Sequence, residues 1–447
     1  MGAIVKHARG LALIITVVLT MAATTSVAFG QSTGTKPTST EVGVSDKEIR
    51  VAVVADVDTP LAPGLFQGSV DGVKGWAKFV NAHGGLAGRK VVVDFIDSKL
   101  SADEARNAVI SACQNDFALV GTSALFLNNV ADIEACVDKA GAATGIPDLV
   151  VIATEVAQQC SPTTYAVNPP QIICRTKDAH PQTYQANAGR AFYYQKKYGK
   201  DLHGAYLFSG DLKAAENANR ASMTQMQKAG SGIKQDFEAI VSSRVQQSAY
   251  TPIVRQLKDK SSNYAQSGSA VNTTVLLRKE AKLQGITDPN FIWDCTLQCY
   301  DKALIEQGGA DVEGQYVSTL FLPFEEASSN KTLANFIKYT GKDDVDGFGV
   351  QAYASGLLLG QAIDQVVAAN GVNGLTRKAV FDQLATIKDF DAGGMIGSTD
   401  IADRKVTNCY VLTQVKGGKF VRVAPTTKGT FDCRARNYKR IKLDLIR

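Results

Sequence analysis

What this chain has little of narrows its chemistry first. It carries four histidines and two tryptophans in 447 residues. The signatures G-x-S-x-G and H-E-x-x-H are absent, so neither a nucleophile elbow nor a zinc-protease helix is present. With so few imidazoles, nothing supports a histidine general base. No cysteine pair is followed by a second pair at finger spacing, so a structural zinc site is unsupported too. Neither metal nor cofactor is expected, and the chain does not read as an enzyme. Charge of either sign is also in short supply: 48 basic against 43 acidic residues leave +5, small for this length. No Lys/Arg cluster is interleaved with aromatics, which argues against a nucleic-acid partner. The locally basic end RARNYKRIKLDLIR reads as a solvated terminal segment. GGLAGRK at 84–90 has the glycines of a phosphate loop in the reverse setting. It follows a helix and precedes a strand, and Val91 stands where Ser or Thr is required.

What is present begins with a targeting segment. Lys6, His7 and Arg9 form a positive region before an apolar stretch at 11–23, too short for a membrane anchor. Ala28-Phe29-Gly30 offers the small residues a signal peptidase reads, so residues 1–30 are expected to be a signal peptide cleaved before Gln31. No cysteine precedes Cys113, so no lipoprotein anchor is expected. Residues 31–48 are rich in Thr, Ser and Gly at their start and are expected to be a disordered tether. Eight cysteines in an exported chain read as disulfides. They allow 105 connectivities. Pairing sequence neighbours suggests Cys113–Cys136, Cys160–Cys174, Cys295–Cys299 and Cys409–Cys433.

At this length two domains are expected. The rhythm along the chain is βα. Ile49, Val51, Val53 and Val54 form a β-branched run ending at Asp56. The loop DVDTPLAPGLF follows, then Phe66, Val70, Val73, Ala77 and Val80 at helical spacing. His83-Gly84-Gly85 stops that helix, and VVVDF gives a second strand. A right-handed parallel unit results. Further helices are read at 102–114 and 130–140, and strands at 117–120 and 148–152. The loops after Ala55, Val120 and Ile152 should converge on one sheet edge, where open α/β sheets bind ligands. Prolines 162, 169, 170 and 181 then interrupt the pattern. Beyond them a helix at 184–198, a strand at 204–208, helices at 214–228, 251–258 and 273–284, and strands at 237–241, 291–293 and 312–322 repeat the rhythm. Helices at 335–339, 349–369 and 376–387 follow, and NCYVLTQV and KFVRVA form a hairpin over Gly417-Gly418. The expected fold is α/β: two Rossmann-like lobes with parallel sheets joined by a multi-crossing hinge. Lobe 1 is 49–165 plus 324–400, lobe 2 is 175–316 plus 408–447, and the crossings lie near 163–180, 314–324 and 400–408.

The opening carries a resemblance. GVSDKEIRVAVV, a Pro/Gly loop and GVKGWAKFVNAHGGLAGRKVVVDFIDS resemble the type I periplasmic solute-binding proteins, in particular the branched-chain amino-acid type that serves ABC transporters. Asn81, Gly84, Gly85, Leu86, Gly88 and Arg89 match the pattern N-x-x-G-G-[IL]-x-G-[RK] that ends the family's first helix.

The resemblance implies hinge closure of two lobes on a solute, and an ABC permease in the membrane as partner, with the chain acting as a monomer. It places carboxylate-binding hydroxyls and N–H groups after the third and fourth strands, at Thr122, Ser123 and Ala124, then Ala153, Thr154 and Glu155. The second lobe supplies an acid and an aromatic in that family. Asp294 and Asp211 are the candidate acids here, and Asn272 stands near where the aromatic is usual. Phe126, Trp293 and Tyr300 lie beside the candidate loops. The reading is an exported protein of the periplasm or cell envelope, capturing a small polar solute such as an amino acid or related carboxylate. Two alternatives stay open: a ligand-sensing module of a receptor system, and an exported enzyme.

Overall fold

A computed structural model describes residues 35–59, 63–230, 232–268 and 271–446, and Gly2. The segment read as a signal peptide, with its cleavage site, therefore lies outside the described residues apart from Gly2.

The first half alternates strands and helices: β1 (Glu48–Ala55), α1 (Gln67–Ala82), β2 (Lys90–Asp97), α2 (Ala102–Asn115), β3 (Ala118–Ser123), α3 (Ala131–Glu134), β4 (Asp148–Ile152), α4 (Val156–Gln159) and β5 (Thr164–Ala166). The five strands are parallel in the order β2-β1-β3-β4-β5. The β-branched run of β1 serves both faces. Val51, Val53 and Ala55 join the core containing α1, while Ala52 and Val54 join the one containing Ala105, Val109 and Ala112 of α2. Two covered faces explain why that strand shows no polar alternation.

The second lobe contains β6 (Gln182–Asn187), α5 (Gly189–Tyr198), β7 (His203–Ser209), α6 (Lys213–Gln227), β8 (Lys234–Val241), α7 (Thr251–Asp259), β9 (Tyr264–Ser267), α8 (Val271–Leu283), β10 (Ile292–Cys295), α9 (Lys302–Gly308) and β11 (Tyr316–Thr319). The chain then returns to the first sheet with α10 (Lys331–Thr340), α11 (Gly347–Asn370) and α12 (Arg377–Leu384). It ends with β12 (Val411–Lys416), β13 (Lys419–Ala424) and β14 (Tyr438–Leu443). The second sheet runs β13-β12-β11-β10-β9-β7-β8, with β12 alone running against the other strands: it pairs antiparallel with both β11 and β13. Its parallel part, β8-β7-β9-β10-β11, repeats the order of the first sheet. Each lobe thus has a topological switch point, between β1 and β3 and between β7 and β9, where loops diverge and leave a crevice.

Helix α11 packs on α1 at close range. A Cβ on Gly72 would stand 2.1 Å from the Gly349 carbonyl oxygen, so only glycine permits this approach. The chain passes between the sheets three times, and the passages are tied together. Gly397 N–H donates to the Leu320 carbonyl at 2.7 Å and Leu322 N–H to that of Met395 at 3.0 Å. Arg404 Nη1 donates to the Gln159 carbonyl at 2.9 Å, and Gln185 Nε2 to the Arg404 carbonyl at 2.7 Å. All four neighbour-paired disulfides form, and Cys160–Cys174 braces the first passage.

Several local expectations are corrected. The stretch 184–198 is not one helix. β6 pairs antiparallel with β14, some 250 residues on (Tyr184 opposite Ile441), and Asn187 Oδ1 caps α5 at Gly189 N. The helix expected over 130–140 stops after α3. The carbonyl of Cys136 accepts from Thr144 and Gly145 instead of continuing the helix, and the Asp138 carboxylate turns the chain by accepting from Ala140 and Ala142. β11 is shorter than the expected 312–322 strand, since Gly309–Val312 forms a 3-10 turn. β9 was not expected at all. The tether is packed from residue 38 onward. Arg89, 1% exposed, donates to the Thr38 and Ser45 carbonyls, and the buried Glu41 carboxylate accepts from Lys139 and Arg377 backbone N–H groups.

Candidate functional site

A cavity of about 1510 Å³ lies between the strand ends of the two sheets. The first lobe contributes Leu100, Leu125, Phe126, Ala153, Thr154 and Glu155. The second contributes Asp211, Asn219, Ser243, Gln266, Asn272 and Thr296. Asn168, Gln171 and Arg404 from the passages close its hinge side.

The rim of the first lobe is organised by Asp56, which in the sequence marks only the end of a strand. Asp56, fully buried at the end of β1, spends both carboxylate oxygens on neighbouring loops. Oδ1 accepts the Ser98 hydroxyl at 2.6 Å and Leu100 N–H at 2.8 Å; Oδ2 accepts Leu125 N–H at 2.8 Å. Asp97 does the same one strand away, accepting from Val57, Asp58 and Lys99 backbone N–H groups. These bonds hold Lys99 and Leu100 at φ of 49° and 56°, a conformation non-glycine residues rarely take. Thr154 then donates its hydroxyl to the Leu125 carbonyl at 2.9 Å, linking the third loop to the second.

The second lobe repeats the device. Asp211 Oδ1 accepts the Ser242 hydroxyl and Oδ2 accepts Ser243 N–H at 2.9 Å. Burial works against its charge, but the hydrogen bonds from Ser242 and Ser243 outweigh it and hold the carboxyl below its ordinary range. Asn272 Nδ2 donates to the Ser243 carbonyl at 2.7 Å. Both predicted residues therefore line the cavity while fixing the loop after β8.

Of the expected site residues, Ala153, Thr154, Glu155, Asp211 and Asn272 border the cavity. Four stand away from its wall: Thr122, Ser123, Ala124 and Asp294. Ser123 is fully buried, its hydroxyl 2.8 Å from that of Ser69, and Ala124 is core, 1% exposed. Thr122, also buried, donates to Asp148 at 2.6 Å. Asp294 lies at the centre of the second lobe, 1% exposed. It accepts from Arg190 Nε at 2.8 Å and from the Tyr194 and Tyr264 hydroxyls at 2.7 Å each. These are packing outcomes: β3 and β10 run centrally in their sheets, so their last side chains meet neighbouring helices and strands. Trp293 stacks on Phe291 with centroids 4.2 Å apart, and the Tyr300 hydroxyl donates to Glu325 at 2.6 Å. Phe126 alone of the three suggested aromatics borders the cavity.

Gln266 and Gly268 were missed because β9 was missed: YAQS has too little apolar alternation to mark a strand. Arg404, Gln171 and the C-terminal Leu445 and Ile446 reach the cavity only through long-range pairing. One signal was legible: α6 carries Asn217, Asn219, Arg220 and Ser222, a polar run that borders the cavity. Among the described residues no cluster of His, Cys, Asp and Glu is arranged to hold a metal, and no helix is long and apolar enough to cross a membrane.

Comparison with known proteins adds the following. A family model described as periplasmic binding protein matches residues 48–419. No curated protein matches the chain. Among solved structures, a leucine-binding protein from Thermotoga maritima is similar with a TM-score of 0.62 at 16% identity, covering 84% of this chain and 98% of its own. A fatty acid ABC transporter substrate-binding protein from Thermomonospora curvata gives 0.66 at 15%, covering 89% and 95%. An extracellular ligand-binding receptor from Rhodopseudomonas palustris gives 0.61 at 16%, covering 84% and 99%. At such identities these likenesses speak to fold.

Proposed function

The chain belongs to the periplasmic binding protein family, and from that membership we propose that it is the exported solute-capturing component of an ABC importer. The observation that carries this reading is the cavity walled by strand-end loops of both lobes. A solute there touches both halves only when they close, so binding shifts the population toward the closed form. A membrane permease then reads that form, with the chain acting as a monomer. The signal segment at 1–30 directs export and is cleaved before Gln31.

The proposed solute is an amino acid or related small carboxylate. Ala153, Thr154, Glu155 and Gln266 form its proposed contacts, while Asp211 and Asn272 hold the opposing loop. A second reading is favoured by size. Pockets for drug-sized ligands span roughly 300–1,000 Å³, and this cavity is larger, with Leu65, Phe66, Leu125, Phe126 and Phe348 on its wall. That composition suits a carboxylate with a longer apolar body. The Thermomonospora protein is described as a fatty acid transporter component, which adds to this second reading.

The test is thermal unfolding of the secreted chain against amino acids, amides, short and aromatic carboxylates, and fatty acids. One class should stabilise it by about 2.7 kcal/mol at a hundredfold excess over Kd. If no member of the panel shifts the transition, the proposed solute class is wrong.

A further inference from the structure

Four cations and four acids line the cavity between the lobes, and most of them are engaged. Lys213 pairs with Glu216 at 3.0 Å, and Arg220 with Glu216 and Glu238 at 2.9 and 2.8 Å. Arg404 donates to the Gln159 and Ser161 carbonyls. Asp211 accepts from Ser242 and Ser243, Asp301 caps α9 at Ala303 N–H, and Asp444 meets His180 at 2.9 Å. Two charges are left, one on each lobe: Arg244 after β8 and Glu155 after β4. Among the described residues, neither the Arg244 guanidinium nor the Glu155 carboxylate makes a hydrogen bond or ion pair. Arg244 is exposed and Glu155 half-buried. The backbone under each is nonetheless fixed. Ser243, beside Arg244, has its N–H held by Asp211 at 2.9 Å and its carbonyl by Asn272 at 2.7 Å; Arg244 N–H donates to the Ser242 hydroxyl at 3.2 Å. Across the cavity, Gln159 Nε2 donates to the Ala153 and Thr154 carbonyls at 2.9 Å each, and Glu155 begins α4 without using its carboxylate as a cap. An unengaged charge on a rigid mount is preorganised to bind a charged guest.

We propose that the solute lies with its carboxylate on Arg244 of the second lobe and its cationic end, where it has one, on Glu155 of the first. That polarity is opposite to the one the family resemblance implies, which puts the carboxylate on the first lobe and an acid on the second. The residues that would set the expected polarity are out of reach, since Thr122, Ser123 and Asp294 are buried away from the wall. A carboxylate against the first-lobe loop would also meet Glu155, like charge against like. A guanidinium, in contrast, presents a fork of donors that matches a carboxylate. The Arg244 charge lies near a group on the cavity wall: burial raises the Asp211 carboxyl, and after the Ser242 and Ser243 hydrogen bonds Arg244 helps to lower it. Asp211 does not use Arg244 up, because its own oxygens are taken by Ser242 and Ser243.

The inference deepens the solute-binding reading and rests on it, but the test separates the two. The probes are leucine, isocaproate (leucine without its ammonium), leucinamide (leucine without its carboxylate) and decanoate, titrated calorimetrically into the intact disulfide-bonded chain. Each carboxylate that binds should weaken at least tenfold in Arg244→Gln and recover in part in Arg244→Lys, with leucinamide unchanged. Glu155→Gln should weaken leucine at least tenfold without weakening isocaproate or decanoate. Neither side chain is bonded, so both variants should melt with the wild type. Carboxylate binding indifferent to Arg244→Gln, or isocaproate and decanoate lost in Glu155→Gln, would overturn the polarity and leave the solute-binding reading standing. If no carboxylate binds the wild-type chain, both fall. If leucine fails while decanoate binds through Arg244, the amino-acid class falls and the carboxylate's place on the second lobe stands.

Discussion

The Asp56 carboxylate accepts the backbone N–H of Leu125 across the switch point at 2.8 Å, while its other oxygen holds Ser98 and Leu100. One buried side chain thereby fixes the loops that follow β2 and β3. Asp56→Asn places an amide N–H against backbone donors on at least one side. We expect a stability loss of about 1–3 kcal/mol and a solute affinity reduced at least tenfold, read by denaturant unfolding and calorimetry. Unaltered affinity would show that the loops hold their geometry without it.

Asp294→Asn tests whether that acid is structural. The substitution leaves Arg190 buried without its counter-charge, and the expected cost is about 3–5 kcal/mol. Solute affinity, measured where the variant remains folded, should change little. A variant of undiminished stability that binds solute poorly would instead return Asp294 to the ligand.

The four disulfides should differ in worth. Cys409–Cys433 and Cys113–Cys136 close separations of 24 and 23 residues, against 4 for Cys295–Cys299. On loop-closure entropy the long pairs contribute about 3.5 kcal/mol each and the short one about 2 kcal/mol. Pairwise Cys→Ser variants compared by chemical denaturation should fall in that order.

A pH signature is expected from Asp116. Burial, with Asp94 beside it, pushes its carboxyl up to about 8, while Arg50 and Arg377 act the other way. A folded-state value above the unfolded one means the native chain binds more protons between about pH 4 and 8. From this group, stability falls as pH rises through that window. Asp116→Asn removes the effect, so the variant should gain on the wild type at pH 8.5 relative to pH 5. Parallel pH profiles for the two chains would refute the assignment.

The family motif illustrates how much was readable and why. Asn81 bonds Val91 through both backbone groups at 2.8 Å, and Arg89 binds four carbonyls. Those residues stood out because a tight helix-to-strand turn needs particular side chains at fixed spacing. Gln266 did not stand out, because a four-residue central strand is defined by its neighbours β7 and β10. Asp294 and Ser123 are expected in the loops after their strands, yet they belong to the last residues of β10 and β3, and which way such a side chain faces depends on what covers it.

Hydrophobic periodicity and glycine stops by themselves determined the α/β class and the duplicated lobes, since each is a local demand of backbone geometry; cysteine spacing suggested the disulfide partners, and the fold selected them among 105 connectivities. The tertiary structure alone decided which strand-end residues border the cavity and that β14 completes a ribbon with β6. Those outcomes depend on contacts between segments far apart in the chain, where burial and hydrogen-bond satisfaction, not local preference, select the arrangement.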